Sequence, residues 1–371
     1  LVAMEIFVNI ITFKNKRLKY FKDDHFLGGF SLKKVRVCIV GAGRAGTVHA
    51  HNLAFRIKDA ELVAIIDENL DAAKKLSNDI GIKKAYKTLS DALKEEEFDA
   101  IFIASPTFTH ARLTIEAAEA GKHVFCEKPM ALTLEEADKM ILATKKNGVK
   151  LQIGFMRRFD SEFKQAKSLI ENGNIGKPIL IKSVGRGPGL PPKWACDPKT
   201  GIGMLAEVNS HDFDTVRWLM NDEIASVYAE ANSFLSPELA KEFPGFYDVA
   251  AVILRLKNGG LGIIDGACPV GYSYDARVEI LGTEGLISIG ELKSTSLLIC
   301  YKDMKVISET FRSWRNRFRD AYIAEAESFI NSILNDRKPE VTGEDGKKAL
   351  EAVLAANQSI REHKAIKLHG D

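Results

Sequence analysis

At 371 residues the chain exceeds one ordinary hydrophobic core and calls for two domains. Apolar residues make up 46% and charged residues 27%, a globular balance that excludes wholesale disorder. A formal charge of +2, with no basic block interleaved with aromatics, gives no footing for nucleic acid.

Residues 1–32 stand apart. Leu1 to Phe13 is mostly apolar but is broken by Glu5 and is too short to span a bilayer. It lacks the basic start and small-residue cleavage site of a signal peptide. A basic, aromatic stretch from Lys14 to Lys22 and the pair Gly28-Gly29 follow. The segment reads as a dispensable leader or a misassigned start, with the working protein beginning near Lys33, in preference to a membrane-surface anchor.

From Val35 the pattern is regular. Val35 to Val40 is a short apolar run ending in glycines, the mark of a buried parallel strand. Helical spacing follows from Ala45 to Arg56, then a strand from Glu61 to Ile66. Helices are expected over Asp71 to Asp79 and Ser90 to Glu97, a strand over Ala100 to Ala104, a helix over Thr109 to Ala120 and a strand over His123 to Cys126. Strands alternating with helices predict a parallel sheet with right-handed crossovers, a Rossmann-type α/β domain over 33–154.

The texture changes beyond Gly154. Gly185 to Pro192 reads as an irregular loop. Strand-like runs come next, at Ser226 to Asn232, Val249 to Lys257, Gly260 to Gly266, Ala276 to Leu281, Leu286 to Ile289 and Ser296 to Tyr301. Asn258-Gly259 between two of them is a hairpin signal. A late helix, about 344–361, follows a capping box at Thr342 with Asp345 in the usual Glu position. The expectation for 155–371 is an α+β domain on a mostly antiparallel sheet, with the last helix able to pack back on the first domain.

The five cysteines (Cys38, Cys126, Cys196, Cys268 and Cys300) are scattered with no CxxC pair, which gives neither a zinc cage nor a disulfide framework. Such thiols suit a reducing cytoplasm. No metal site is expected.

Gly41-Ala42-Gly43-Arg44-Ala45-Gly46 is GxGxxG placed directly between a strand and a helix. The first Gly permits the turn, the second lets backbone approach a pyrophosphate, and the third lets helix pack on strand. The N–H groups at Arg44 and Ala45 then face the phosphates. The second strand ends at Asp67, whose carboxylate can accept the ribose hydroxyls and would repel a 2′-phosphate; Glu68 and Asn69 bring no cation, so NAD is expected rather than NADP. Ser105, Thr107 and His110 follow the strand that ends at Ala104, at the sheet's carboxyl edge, and are candidates to touch the nicotinamide ribose. For His110 a place in the first turn of the helix is the alternative. Glu127-Lys128-Pro129 follows another strand and aims a stiffly held cation at the same crevice, where it can polarise a carbinol oxygen. In the run from Gly203 to Asp214, a continuous helix would put Glu207, His211 and Asp214 on one face. An imidazole beside a carboxylate makes a general base. A metal site from the three lacks a supporting His or Cys cluster, and a plain ion-paired helix is the bland alternative.

Taken in order, GAGRAG, IID, ASPTFTH, AGKHVFCEKP, GFMRRFD, GMLAEVNSHDFDTVRWL, EILGTEG and GEDGKKAL closely resemble the Gfo/Idh/MocA oxidoreductases, and within them the inositol 2-dehydrogenases. The resemblance runs from Lys33 to Leu368. It implies a Rossmann domain followed by an α+β domain whose open sheet packs on other subunits, giving a homodimer or homotetramer. It implies that Lys128 and Glu127 belong to the cofactor and substrate site, that His211 is the acid/base, and that Arg157, Asp214 and Tyr274 line a polyol pocket, with Tyr272 a weaker candidate. Glu207 departs from the family's usual Asp. The function so implied is oxidation of a secondary alcohol on a cyclic polyol or sugar by NAD, with Glu207 orienting His211 or tuning its charge. Two rivals share the scaffold: an NAD-dependent glycosidase working by transient oxidation and elimination, and a non-catalytic NAD-binding regulator.

Overall fold

The structure, a computed structural model, describes residues 34–368. The leader expected over 1–32 lies outside the described residues.

The first lobe follows the strand–helix alternation of the sequence. Strand β1 (Val35–Val40) leads through the glycine turn into α1 (Arg44–Phe55), then β2 (Ala60–Ile66), α2 (Leu70–Ile80), β3 (Ala85–Tyr86) and α3 (Leu89–Glu95). Next come β4 (Ala100–Ile103), α4 (His110–Glu119), β5 (His123–Glu127), α5 (Leu134–Lys146) and β6 (Leu151–Gly154). The six strands are parallel in the order β3-β2-β1-β4-β5-β6, which reverses direction between β1 and β4. A crevice opens at that reversal, outside the strands' carboxyl ends. Local chemistry fixes the helix ends: Asn69 accepts from the N–H groups of Asp71 and Ala72, and Thr133 from that of Glu136. Both sheet faces are covered, with Ile39, Ile65 and Phe102 packed on one side and Cys38, Ile101 and Ile103 on the other.

The second lobe begins with α6 (Ser161–Glu171), capped by Asp160, and β7 (Pro178–Arg186). Short helices α7 (Lys193–Cys196) and α8 (Met204–Glu207) precede α9 (Ser210–Met220), β8 (Ile224–Asn232) and α10 (Pro237–Glu242). Strands β9 (Val249–Leu256), β10 (Leu261–Ala267), β11 (Val278–Gly282), β12 (Leu286–Ile289), β13 (Ile299–Cys300) and β14 (Val306–Ile307) follow, then α11 (Trp314–Arg317), α12 (Arg319–Leu334), α13 (Gly343–Glu362) and β15 (Ile366–Lys367). Seven strands form a sheet in the order β12-β11-β7-β10-β9-β8-β15. Every described pairing in it is antiparallel except β7 with β10. The Asn258-Gly259 hairpin joins β9 to β10, with Gly259 at φ +88°.

Two expectations need correction. The supposed loop from Gly185 is still strand through Arg186, because β7 is gripped on both sides, by β10 and by β11. The strand expected over Ser296 to Tyr301 shrinks to β13, whose exposed apolar residues have only β14 to pair with.

Helix α13 carries the reciprocal capping box, Thr342 accepting from the Asp345 N–H and Asp345 from the Thr342 N–H. Its start lies against the first lobe so closely that a Cβ on Gly343 would come within 2.8 Å of Ile141, and one on Gly346 within 2.8 Å of Ile153. Ala352, Val353 and Ala356 then pack under the second sheet. No helix among the described residues is long and apolar enough to cross a membrane.

Candidate active site

The glycine turn is built as a cradle. Gly41 sits at φ +105°, and a Cβ there would fall 2.5 Å from the Ala104 carbonyl oxygen; one on Gly46 would fall 1.8 Å from that of Gly41. These two glycines are required by the protein itself. Gly43 differs: nothing lies within 4 Å of its would-be Cβ, so the turn is bare where a ligand must approach. Gly43 is also the N-cap of α1 without a side-chain cap, and Thr47 is the first residue whose N–H turns back to Gly43. The N–H groups of Arg44, Ala45 and Gly46 therefore have no intrahelical acceptor and suit an anion. Asp67 braces the cradle from the second strand, one oxygen accepting from the Ala42 N–H at 2.7 Å and the other from that of Asn69 at 2.8 Å. A carboxylate oxygen retains a free lone pair after one such bond, so Asp67 can still receive a ribose hydroxyl. These residues fit NAD.

Across the crevice, Lys128 directly follows β5 and is joined to Pro129 by a cis peptide. Its Nζ donates to the Glu207 carbonyl oxygen at 2.6 Å. The Glu207 carboxylate accepts from the Thr107 hydroxyl at 3.4 Å. Burial raises the Glu207 carboxyl above its ordinary value, opposed by Lys128, the Thr107 bond and Arg44, while Glu127 pushes the same way as burial. His211 is 5% exposed and its Nδ1 has no hydrogen-bond partner. Burial first, then the positive charges of Lys128 and Arg157, hold His211 well below its ordinary value, so it is neutral and can accept a proton. Phe155 packs edge-on against its ring, with centroids 5.7 Å apart. Lys128, Glu207 and His211 thus share one electrostatic neighbourhood, reached from β5 and from the α8–α9 segment.

Several residues singled out in the sequence lie elsewhere. Glu207, His211 and Asp214 do not share one continuous helix, because the chain breaks between α8 and α9 at Val208 and Asn209. Asn209 is buried, its amide donating to the Gly185 carbonyl at 3.1 Å and to Asp212 at 2.8 Å. The bond to Gly185 ties the break to β7 of the second sheet. The Glu207 carboxylate accordingly bonds to Thr107 and not to His211. Asp214 is not pocket-lining: Arg158 holds it at 2.6 and 2.9 Å, with Arg217 at 3.7 Å. Arg157 is 1% exposed and committed to Asp212 at 2.7 Å, an aspartate that also accepts from the Ser183 hydroxyl at 2.5 Å. It is a buried strut behind His211, not a residue presented to a polyol.

His110 is likewise withdrawn from the nicotinamide ribose. Its Nδ1 lies 2.9 Å from the Pro129 carbonyl and its Nε2 2.8 Å from that of Ser105, stapling two crevice loops together. Burial lowers it below its ordinary value, against the pull of those two carbonyls. The Ser105 hydroxyl pairs with that of Thr109 at 2.6 Å. Tyr274 lies half-buried, stacked edge-on against Phe318, with Arg157 as its electrostatic partner. Tyr272 is exposed, bonded to Asp275 and Arg186.

Sequence reasoning missed the supports. Tyr247 bonds to the Leu205 N–H at 3.4 Å and to Asn357 at 2.6 Å, holding α8. Arg158 and Asp212 were passed over although each stands beside a residue that was named. His49 bonds Glu127 at 2.7 Å beneath the crevice. Its position on α1, three residues past Gly46, was the available signal.

Comparison with known proteins bears out the Rossmann reading of the first lobe. Residues 35–155 match the oxidoreductase family model with an NAD-binding Rossmann fold, and residues 163–288 match the GFO/IDH/MocA C-terminal domain. The chain belongs to the GFO/IDH/MocA oxidoreductase family. Its cofactor is NAD. Among its relatives in the family, a myo-inositol 2-dehydrogenase of Thermotoga maritima is 38% identical over 90% of this chain and 98% of that protein. The NAD(+)-dependent scyllo-inositol 2-dehydrogenase of Bacillus subtilis is 34% identical over 90% of this chain and 96% of its own length. The crystal structure of scyllo-inositol dehydrogenase from Lactobacillus casei, with bound NAD(H) and scyllo-inositol, superposes with a TM-score of 0.84 at 29% identity, covering 90% of this chain and 99% of that one.

Proposed function

We propose that this oxidoreductase removes hydride from a secondary alcohol of an inositol-like cyclic polyol, giving the ketone. The observation that carries the reading is the meeting of Lys128, Glu207 and a neutral, unpartnered His211 at the mouth of the glycine cradle. The inositol substrates of the relatives named above support it.

NAD⁺ bound along the cradle supplies the hydride acceptor. The chain does the rest. The glycine turn and the start of α1 receive the pyrophosphate, and Asp67 receives the ribose and disfavours a 2′-phosphate. His211 takes the hydroxyl proton, a role that its neutral state allows. The Lys128 ammonium stabilises the negative charge that grows on the carbinol oxygen in a water-poor crevice. Glu207 anchors Lys128 through its carbonyl oxygen, tempers that charge with its carboxyl group and offers an acceptor to a neighbouring hydroxyl. Ser105 and Thr107 follow β4 at the sheet's carboxyl edge, where Thr107 donates to the Glu207 carboxylate.

Self-association is part of the reading. On the outer face of the second sheet, Tyr228, Ile253, Ile263 and Lys182 stand in one row across β8, β9, β10 and β7. Ile253 is 56% exposed and Leu261 46%, an apolar patch of the kind that pairs with its own copy. The scattered thiols support a reducing, cytoplasmic setting.

An inositol carrying deuterium on the reacting carbon tests the reaction. Deuterium recovered in NADH is expected. Release of an aglycone from a glycoside without NADH build-up would instead mark a transient-oxidation glycosidase.

A further inference from the structure

Beside the Lys128 main chain, three ionisable side chains meet in a buried cluster. His49 comes from α1, Glu127 from the end of β5 and Glu325 from α12. His49 and Glu325 are 0% exposed and Glu127 6%, and one polar atom of each lies within 4.8 Å of those of the other two. The surroundings are aromatic: the His49 ring lies 5.5 Å from Phe102, 5.0 Å from Phe125 and 5.6 Å from Tyr322, centroid to centroid.

Glu127 is well served. One oxygen bonds His49 at 2.7 Å and the other accepts the Lys128 N–H at 3.2 Å. Glu325 has no such support: neither carboxyl oxygen has a hydrogen-bond partner. Its main-chain carbonyl is held by the Gln152 amide at 3.1 Å, which fixes the helix but leaves the carboxyl group bare. Two ionised carboxylates in this box would leave buried negative charge unpaired, a state that folded proteins avoid by retaining a proton.

We propose that Glu325 is a neutral carboxylic acid, which spares the neighbouring Glu127 a second negative charge and so positions Lys128 from behind. The role rests on the function proposed above for Lys128. Glu127 touches the Lys128 main chain, and its orientation sets where the lysine stem starts. A neutral Glu325 leaves the two Glu127 bonds undisturbed. An ionised Glu325 would repel Glu127 and loosen its grip on the lysine amide. The charged and titratable groups facing the pair are His49 on α1, Lys128 after β5, Tyr322 on α12 and, acting through Tyr322, Arg315 on α11, with Cys126, His110 and Glu207 on the Glu127 side. Burial and the neighbouring Glu127 both press Glu325 towards its protonated form.

The sign of the effect on stability follows from proton counting. The folded chain keeps a proton on Glu325 that the unfolded chain releases above about pH 4.3. Wild-type stability therefore falls as pH rises from there towards the folded-state value, and an amide at this position has no such penalty. Thermal melts of the full-length wild type and Glu325→Gln across pH 5 to 8 read this directly. Glu325→Gln should melt about 2 °C or more above wild type at pH 8, with the gap closing towards pH 5. In turnover, Glu325→Ala should lose about 10- to 100-fold in kcat with NADH binding kept, and Glu325→Gln should restore it while flattening the alkaline limb of the wild-type profile. A Glu325→Gln protein that melts below wild type at every pH, or that loses a stoichiometric divalent cation present in the wild type, overturns the proposal. The melts and metal content do not depend on which alcohol is the substrate, so a wrong substrate would leave this result standing. The wild type alone supplies a second measurement: its infrared spectrum at pH 8 should contain a protonated-carboxyl band, and absence of that band also overturns the proposal.

Discussion

Replacing Gly43 and Gly46 with alanine, one at a time, should produce opposite failures from two residues three positions apart. At Gly46 the new methyl would sit 1.8 Å from the Gly41 carbonyl oxygen and 2.8 Å from its carbon, both backbone atoms that cannot swing aside. Overpacking of that severity costs about 3 kcal/mol or more, which lowers the melting temperature by roughly 6–12 °C. At Gly43 nothing lies within 4 Å of the methyl. The loss there is the modest preference for Gly over Ala at a helix N-cap, about 1 kcal/mol, or roughly 2–4 °C. The same methyl occupies the space through which a pyrophosphate reaches the first N–H groups of α1. Losing one charge-assisted hydrogen bond costs about 1.5–3 kcal/mol, so NADH should bind about 10- to 150-fold more weakly. Calorimetric titration with NADH and thermal melts of both variants separate the effects. A Gly43→Ala protein that binds NADH as the wild type does would refute the assignment of the bare turn to the cofactor.

Other changes probe the rest of the crevice. His211→Ala should lose about 10²–10⁴-fold in kcat with NADH affinity kept, since a positioned base contributes that much; steady-state rates beside a binding titration check it. Asp67→Arg should weaken NAD⁺ and admit NADP⁺, read as the ratio of kcat/KM for the two cofactors. Arg158→Ala strands the buried Asp214 carboxylate and should cost about 3–5 kcal/mol in urea unfolding, towards the lower figure because Arg217 remains at 3.7 Å. His211 is neutral in the fold and takes a proton on unfolding below its ordinary value of about 6.5. Its contribution to stability is therefore full above that value and is lost as pH falls, so wild type should lose more stability between pH 7 and 5 than His211→Asn does.

The parts of the site legible in the sequence were those fixed by neighbours in the chain. GxGxxG between a strand and a helix, Asp67 at the end of the next strand and Lys128 after β5 are each set by a local turn and a strand end. The parts that escaped depend on partners far along the chain. Arg157 and Arg158 are adjacent, yet each is claimed by an aspartate of α9, Asp212 and Asp214 respectively, which withdraws four named or neighbouring residues from the pocket. The helical spacing of Glu207 and His211 looked continuous because nothing local shows that Asn209 will bond to Gly185 across the lobe. His110 looked like a crevice residue because its loop is one; only the fold shows its ring turned inward to Ser105 and Pro129. In the second lobe the inner strand β7 went unread, and its Gly185-Arg186 end was assigned to a loop; pairing on both sides overrides the weak local preference there.

The central claim is that the crevice oxidises an inositol-like polyol with NAD. Its most direct test is NADH absorbance on mixing the protein with NAD⁺ and a panel of inositols and free sugars, with NADP⁺ in parallel. The account predicts NADH formation with at least one inositol, much slower reduction of NADP⁺, and loss of the signal in His211→Ala. A protein that binds NADH yet reduces neither cofactor with any inositol or sugar would contradict it.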